Sequence, residues 1–91
     1  MAMRIKKSSP TVFTLLTDGS AVLLNLDSLV YFKLNRSAAI LWQRIEGGDP
    51  PSLDDLVACA VDRFDVDAAL AVQVIGTFVG RLQQFKLARV E

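Results

Sequence analysis

The side chains that could do chemistry are few. The 91 residues include no His, which is the commonest general base and metal ligand in proteins. The single cysteine, Cys59, therefore has no His with which to form a nucleophilic pair. It falls on or beside the apolar stripe of a predicted helix, and free Cys is commonly buried, so we interpret it as a small core residue. A Cys/His metal site is excluded by count.

Carboxylates are concentrated in one segment of the chain, residues 46–67. They are Glu46, Asp49, Asp54, Asp55, Asp62, Asp65 and Asp67. Such a cluster could serve a basic partner or a cation, but acids at helix caps and in first helical turns are favoured by the helix dipole, and several of these positions suit that role. The run DRFDVD lacks the D-x-D-x-D-G spacing and the terminal Glu of a calcium loop. We expect no cofactor, no metal and no enzymatic activity.

Composition narrows the class of protein further. Ten basic and ten acidic residues give a net charge of zero, which argues against binding nucleic acid by bulk charge. One cysteine cannot form an internal disulfide, so nothing demands an oxidising compartment. The charged start MAMRIKKSSP is not followed by the apolar core of a signal peptide, and no apolar run approaches the about 20 residues of a membrane span. We expect a cytoplasmic protein with no membrane contact.

The first third of the chain predicts three strands. Residues 1–10 are expected to form a flexible basic tail, and residues 11–91 a single domain. Thr11–Thr17, Ala21–Leu26 and Leu29–Leu34 are rich in β-branched, aromatic and aliphatic residues. The Asp-Gly pair between the first two predicts a hairpin, so the three strands form an antiparallel meander.

Alternation along the strands predicts which side faces the core. Because Asn25 and Lys33 mark the wetter face, we expect the opposite face to be buried. The predicted core face holds Val22, Leu24 and Leu26 on the second strand and Val30, Phe32 and Leu34 on the third.

Three helices are predicted after the meander. Asn35, Ser52 and Asp67 are the expected N-caps, and Asp55 completes a capping box with Ser52. The third helix, from about Ala68 to Phe85, has one apolar stripe that we assign to the core. That stripe is Ala71, Val74, Ile75, Phe78, Leu82 and Phe85. The order βββααα predicts a small α+β domain with a winged-helix-like arrangement.

The third helix also has a second apolar face, made of Val72, Gly76, Val79 and Gly80. A surface helix normally has one stripe, so the second face is either buried as well or available to a partner. The two glycines each cost about 0.5–1 kcal/mol relative to Ala inside a helix. They indicate either close packing against the core or a smooth groove floor.

Several motifs in this order and spacing are similar to those of the PqqD-like family. They are V-L-L-x-L from Val22, Y-F-x-L-N from Tyr31, the Ala-rich helix start with Trp42, the Gly pair, F-D-V-D from Phe64, and the spacing Phe78, Leu82, Leu87. The resemblance covers about residues 11–90. Two positions depart from the family pattern, because Leu29 stands where glycine is common and Asn25 where an acid is frequent.

The resemblance implies a non-catalytic peptide chaperone, also called a precursor-peptide recognition element of ribosomally made peptide biosynthesis, as in pyrroloquinoline quinone synthesis. Such proteins hold the leader of a precursor peptide as an added strand between the third strand and the third helix. They present it to a modifying enzyme such as a radical SAM protein.

The residues support that mode of binding independently. In a meander the third strand is an edge, and LVYFKL has one Lys and no Pro to protect it. An added peptide strand would pair with this edge by β-augmentation. The expected peptide-binding residues are Leu29, Val30, Tyr31, Phe32, Lys33, Leu34, Val72, Gly76, Val79, Gly80 and Gln83.

Two other functions compete with peptide recognition. The same edge could pair with a second copy of the chain to form a homodimer. A winged-helix DNA-binding protein is the weaker alternative, because the third helix has no basic residue before Arg81.

Overall fold

A computed structural model describes residues 3–8 and 10–91 of the chain. The strands are β1 (Ile5–Lys7), β2 (Thr11–Leu15), β3 (Ala21–Asn25), β4 (Val30–Leu34) and β5 (Ala88–Val90). The helices are α1 (Arg36–Glu46), α2 (Leu53–Phe64) and α3 (Ala68–Gln84). Strands β2, β3 and β4 form an antiparallel sheet in that order, and the three helices follow it, which confirms the predicted α+β architecture.

The register of the meander corrects the predicted faces. Leu23 pairs with Phe32 and Ala21 with Leu34, and these four side chains are buried. The buried face of β3 is therefore Ala21, Leu23 and Asn25, opposite to the prediction, while Val22 and Leu24 are half-buried and Leu26 is exposed. On β4 the prediction is confirmed for Phe32 and Leu34, but Val30 is exposed.

Asn25 explains why polarity misled the assignment of β3. It is only 2% exposed, yet both its amide oxygen and its amide nitrogen make hydrogen bonds. Its Oδ1 accepts hydrogen bonds from the backbone N–H groups of Asp27 and Ser28, and its Nδ2 donates to the carbonyl oxygen of Phe85. A buried amide costs little when its hydrogen bonds are made, so an Asn facing inward can organise the β3–β4 turn.

A second, two-stranded sheet joins the two ends of the described chain. Strand β1 pairs with β5, and Ile5 is completely buried in the core. Residues 5–7 therefore form a packed strand where a flexible tail was expected, and the Lys6 ammonium lies 3.0 Å from the Glu91 carboxylate. The parts of the expected tail at Met1, Ala2 and Ser9 lie outside the described residues.

The predicted helix starts are confirmed. The Asn35 side chain accepts from the N–H of Ala38, and the Asp67 side chain accepts from that of Leu70. Ser52 and Asp55 form both hydrogen bonds of a capping box. These caps satisfy N–H groups that have no partner within a helix, and so they locate the first turns.

The core lies between the meander and the helices. Trp42 of α1, Leu56 of α2, and Ile75 and Leu82 of α3 are at most 1% exposed. Cys59 is half-buried and packs against this core. Within the described residues, no helix combines the length and apolarity that crossing a membrane requires.

Candidate functional site

Strand β4 is an edge of the meander, as the sequence predicted. The N–H of Leu16 donates to the carbonyl of Ser20, and that of Leu26 donates to Pro10. In an antiparallel ladder hydrogen-bonded pairs alternate with non-bonded pairs, so these two bonds set the phase of the whole sheet. The odd-numbered residues of β3 consequently bond to β4, and the main-chain groups of Tyr31 and Lys33 point away from the sheet.

An open cleft of about 560 Å³ lies beside β4. Its three sides are the second half of β4, the start of α1 and one face of α3. The lining residues are Phe32, Lys33, Leu34, Asn35, Ser37, Ala38, Leu41, Leu70, Gln73, Val74, Thr77, Phe78 and Arg81. The cleft is thus continuous with the strand edge whose hydrogen-bonding groups are free of the sheet.

The walls of the cleft are mainly apolar. Leu34 and Leu41 are nearly fully buried at its base, while Leu70 and Val74 of α3 are 47% and 49% exposed. Phe78, between Val74 and Arg81 on the same helical face, is half-buried. Covering apolar side chains of this kind stabilises a complex by about 25 cal/mol for each Å² of surface that the ligand removes from water.

An aromatic and cationic cluster closes one end of the cleft. The Phe32 and Phe85 rings meet edge to face with centroids 5.3 Å apart. The Arg81 guanidinium carbon lies 5.2 Å from the Phe32 ring centroid, within the range of a cation–π interaction. Arg81 is thereby held at the cleft by its packing on an aromatic ring.

The β3–β4 turn, next to this cluster, has an unusual backbone. Leu29 adopts φ = 60°, in the left-handed region, and its side chain is 70% exposed. Its N–H donates to the carbonyl of Asn25 at 2.7 Å. The conformation costs a non-glycine residue about 1–2 kcal/mol, so the departure from the family pattern at Leu29 is accommodated with strain and without a change of fold.

Outside the cleft, two carboxylates with lowered pKa values lie in a turn and in a helix cap. The hydrogen bond that the Ser20 hydroxyl donates to the Asp18 carboxylate, followed by the one that the Ser20 N–H donates, holds the pKa of Asp18 below its ordinary value, and Lys33 adds a smaller effect. The backbone hydrogen bond at Ser52 lowers the pKa of Asp55 in the same way. The described residues contain no group of three or more His, Cys, Asp or Glu side chains arranged to hold a metal ion.

The β4 half of the expected site lies at the cleft. Phe32, Lys33 and Leu34 line it, and Tyr31 contributes outward main-chain groups while its side chain is 71% exposed. Val30 and Leu29 lie further along the same chain, beyond the lining residues.

The α3 half of the expected site lies elsewhere. Val72, Gly76, Val79, Gly80 and Gln83 do not line the cleft. Val79 is 4% exposed in the core, Val72 is 58% exposed on another face, and Gln83 lies in a separate shallow depression with Ser8 and Arg89. An added Cβ at either glycine would find no atom within 4 Å, so neither glycine serves close packing.

A different stripe of α3 faces β4. It consists of Leu70, Gln73, Val74, Thr77, Phe78 and Arg81. These positions repeat with the three- and four-residue spacing of one helical face. From the sequence, Val74 and Phe78 were expected in the core; Val74 is instead half exposed in the cleft, and Phe78 packs against the core while it also lines the cleft. The mixture of apolar and polar residues on one stripe was the available signal, since a face buried in the core would contain few amides or hydroxyls.

Two solved structures share the fold. TbiB1 in complex with the TbiA(beta) leader peptide matches with a TM-score of 0.79 at 24% identity, over 92% of this chain and 94% of that chain. A lasso peptide synthetase B1 complexed with the leader peptide matches with a TM-score of 0.72 at 26% identity, over 98% of this chain and 99% of that chain.

No curated protein matches the sequence significantly. The model of a protein family described as coenzyme PQQ synthesis protein D (PqqD) matches residues 20–87. This range includes β3, β4 and all three helices, and therefore every element that forms the cleft. The chain belongs to the PqqD family.

Proposed function

We propose that this protein is a non-catalytic recognition module that binds the leader of a precursor peptide as a strand added to β4. The observation that carries the proposal is the free edge of β4 beside an apolar cleft, within the part of the chain that the structure describes. An unpaired edge supplies main-chain hydrogen bonds, and a neighbouring cleft supplies pockets for alternate side chains.

The comparisons support this function. Both solved structures are complexes with leader peptides, and one of them is 26% identical over 98% of this chain. The match to the PqqD family covers the elements that surround the cleft. The bound leader would then be presented to a peptide-modifying enzyme in the cytoplasm. A radical SAM protein is the partner that the resemblance implies.

Strand β4 and the cleft offer a peptide two different kinds of contact, main-chain hydrogen bonds and apolar side-chain contacts. The outward N–H and C=O groups of Tyr31 and Lys33 can each bond to an incoming strand, at about 0.5–1.5 kcal/mol net for each bond. Those bonds are independent of the peptide's sequence. Selectivity must therefore come from the side chains that enter the cleft against Val74, Phe78 and Leu41.

Val72 and Val74 offer a matched pair of variants for the α3 wall. Both are exposed valines on one helix, but only Val74 lines the cleft. Val74→Gln should weaken binding of a synthetic leader of the cognate precursor peptide by about 1–2 kcal/mol, roughly 5- to 30-fold, because a polar amide replaces an apolar contact. Val72→Gln should leave the dissociation constant unchanged. Fluorescence anisotropy measures both.

Backbone NMR locates the bound peptide. Titration of the unmodified protein should shift the amide signals of Tyr31 and Lys33 and of the α3 residues that line the cleft. Shifts confined to α2 or to the β1–β5 sheet would contradict the proposal. A dimer that resists dilution and has no affinity for the leader would favour self-association instead.

A further inference from the structure

The charged residues that border the cleft are all cationic. Its lining includes two cations, Lys33 and Arg81, and no Asp or Glu. The seven carboxylates of residues 46–67 all lie outside the lining. A chain with zero net charge thus has a largely apolar cleft that is bordered by two cationic residues and by no carboxylate.

Arg81 has no acidic partner within the described residues. The salt bridges there are made by Arg4, Lys6, Lys7 and Arg89. The guanidinium of Arg81 instead packs on the Phe32 ring, which leaves its N–H donors to solvent. A ligand that covered the cleft would remove that solvent, and an unpaired buried guanidinium is costly. A carboxylate on the ligand would compensate, and Arg binds carboxylates with two parallel hydrogen bonds.

Lys33 borders the cleft, but its side chain points to the other face of the sheet. Side chains alternate along β4, so Lys33 faces outward with Tyr31, while Phe32 and Arg81 are on the cleft side. Lys33 forms no salt bridge within residues 3–8 and 10–91, although it lies near enough to Asp18 to lower its pKa slightly. A residue opposite Lys33 in an added strand would be its cross-strand neighbour, where opposite charges attract.

Building on the proposed function, we infer that the cleft selects an acidic leader segment. One carboxylate on the cleft side of the added strand binds Arg81, and a second on the outer side lies opposite Lys33. A cleft-side neighbour of the first, two residues along the peptide, is apolar and packs against Val74 and Phe78. The partner is thus an extended peptide with an acidic residue on each face of the added strand and an apolar residue on the cleft side. A neutral or basic peptide would leave both cations unpaired.

Selection from a random-peptide display library tests this inference without knowledge of the natural leader. Peptides selected on the unmodified protein should be enriched in Asp and Glu beside apolar residues. Selection on Arg81→Glu should enrich Lys or Arg at one of those positions. A selected acidic peptide should bind Arg81→Glu at least about tenfold more weakly, because like charges then face each other. A peptide with Lys in place of that acidic residue should recover the loss.

Two control variants test whether the effect of Arg81→Glu depends on the position of the charge in the cleft. Arg63→Glu makes the same charge change on an exposed residue of α2 outside the cleft, and it should not alter the selected sequences. Arg81→Met keeps an apolar side chain against Phe32 and should abolish the preference for acidic residues at one position while leaving the protein folded.

The outcomes separate the two proposals. Selected peptides that shift the Tyr31 and Lys33 amides but show no acidic bias would overturn the inference and leave the proposed function intact. An acidic bias that Arg63→Glu reverses as strongly as Arg81→Glu would also overturn the inference. Selected peptides that shift only amides outside β4 and the cleft would overturn the proposed function and the inference together.

Discussion

The meander has two edges, β2 and β4, and they differ in what lies beside them. Along β2 the main-chain groups of Thr11, Phe13 and Leu15 point away from the sheet, by the same hydrogen-bond alternation that directs those of Tyr31 and Lys33 on β4. Both edges also expose apolar side chains. Only β4 borders the cleft formed with α1 and α3, and no residue of β2 lines it. The main-chain groups of an open edge can bond to any extended chain. An edge beside a cleft also contacts the side chains of the added strand, and so it can bind some peptide sequences more tightly than others.

The turns that lead to the two edges differ as well. The β2–β3 turn has Gly19 at φ = 91°, where glycine has no penalty. The β3–β4 turn has Leu29 at φ = 60°, where a side chain is strained. Strain that persists at one turn of a small sheet tends to occur near functional sites. Here it lies next to the edge that we propose to bind peptide.

Proline on each edge should give the largest difference between them. Tyr31→Pro removes an outward N–H, which leaves a carbonyl of the added strand without its donor. We expect leader binding to weaken by about 2–3 kcal/mol, roughly 30- to 150-fold. Leu15→Pro removes the corresponding outward N–H of β2 and should leave the affinity unchanged. Edge strands tolerate proline, so both variants should fold, and isothermal titration calorimetry measures the affinities. Equal losses from the two variants would mean that the cleft does not distinguish the edges.

Exchanging the turn residues should give opposite effects on stability. Gly19→Ala should lower the free energy of unfolding by about 1–2 kcal/mol, because φ is unsuitable for Ala and the new Cβ would lie 2.7 Å from Nε of Arg36. Leu29→Gly should raise it by about 0.5–1 kcal/mol, since relief of strain exceeds the entropy of glycine in the unfolded chain.

Chemical denaturation measures both changes in the turns. The Gly19 effect should pass through Arg36, whose guanidinium donates to the Asp18 carbonyl and ties the β2–β3 turn to α1. Destabilisation by Leu29→Gly would show that the Leu29 side chain makes a contact worth more than the strain.

The smallest expected effect is the pH dependence of the β2–β3 turn. Because hydrogen bonds from Ser20 lower the pKa of Asp18 in the folded protein, the unfolded chain takes up the proton first as the pH falls. The stability that this carboxylate contributes is therefore complete above its ordinary pKa of 3.8 and is lost as the pH falls through the lower folded value. Asp18→Ala should lower the melting temperature at neutral pH, and the difference should shrink in acid. A difference that stays constant across this range would assign the effect to something other than the charge.

Local patterns predicted the elements well. Strand positions, the hairpin at Asp18 and Gly19, and the caps at Asn35, Ser52 and Asp67 depend on residues within a few positions of one another, and all are found. The edge position of β4 followed from chain order alone, because neighbouring strands with short turns form a meander. Family membership followed from the same motifs.

Local patterns did not predict the features that depend on contacts between more distant parts of the chain. Strand β1 forms because Ile5 pairs with Val90 at the far end of the chain, and three residues with two lysines carry little strand signal of their own. The buried face of β3 depends on the turn that Asn25 organises, and polarity alone assigned it to the wrong side.

What the sequence determined by itself was therefore the identity and order of the meander strands and the helices, the open edge of β4 and the scarcity of catalytic groups, since each depends on local periodicity, chain order or composition. What only the tertiary structure decided was which stripe of α3 faces that edge. Two apolar stripes compete on one helix, and packing of Ile75, Val79 and Leu82 into the core sets the rotation that turns Val74, Phe78 and Arg81 toward β4. That rotation brings a cation from near the end of α3 to the Phe32 ring, a juxtaposition of distant residues that no local pattern encodes.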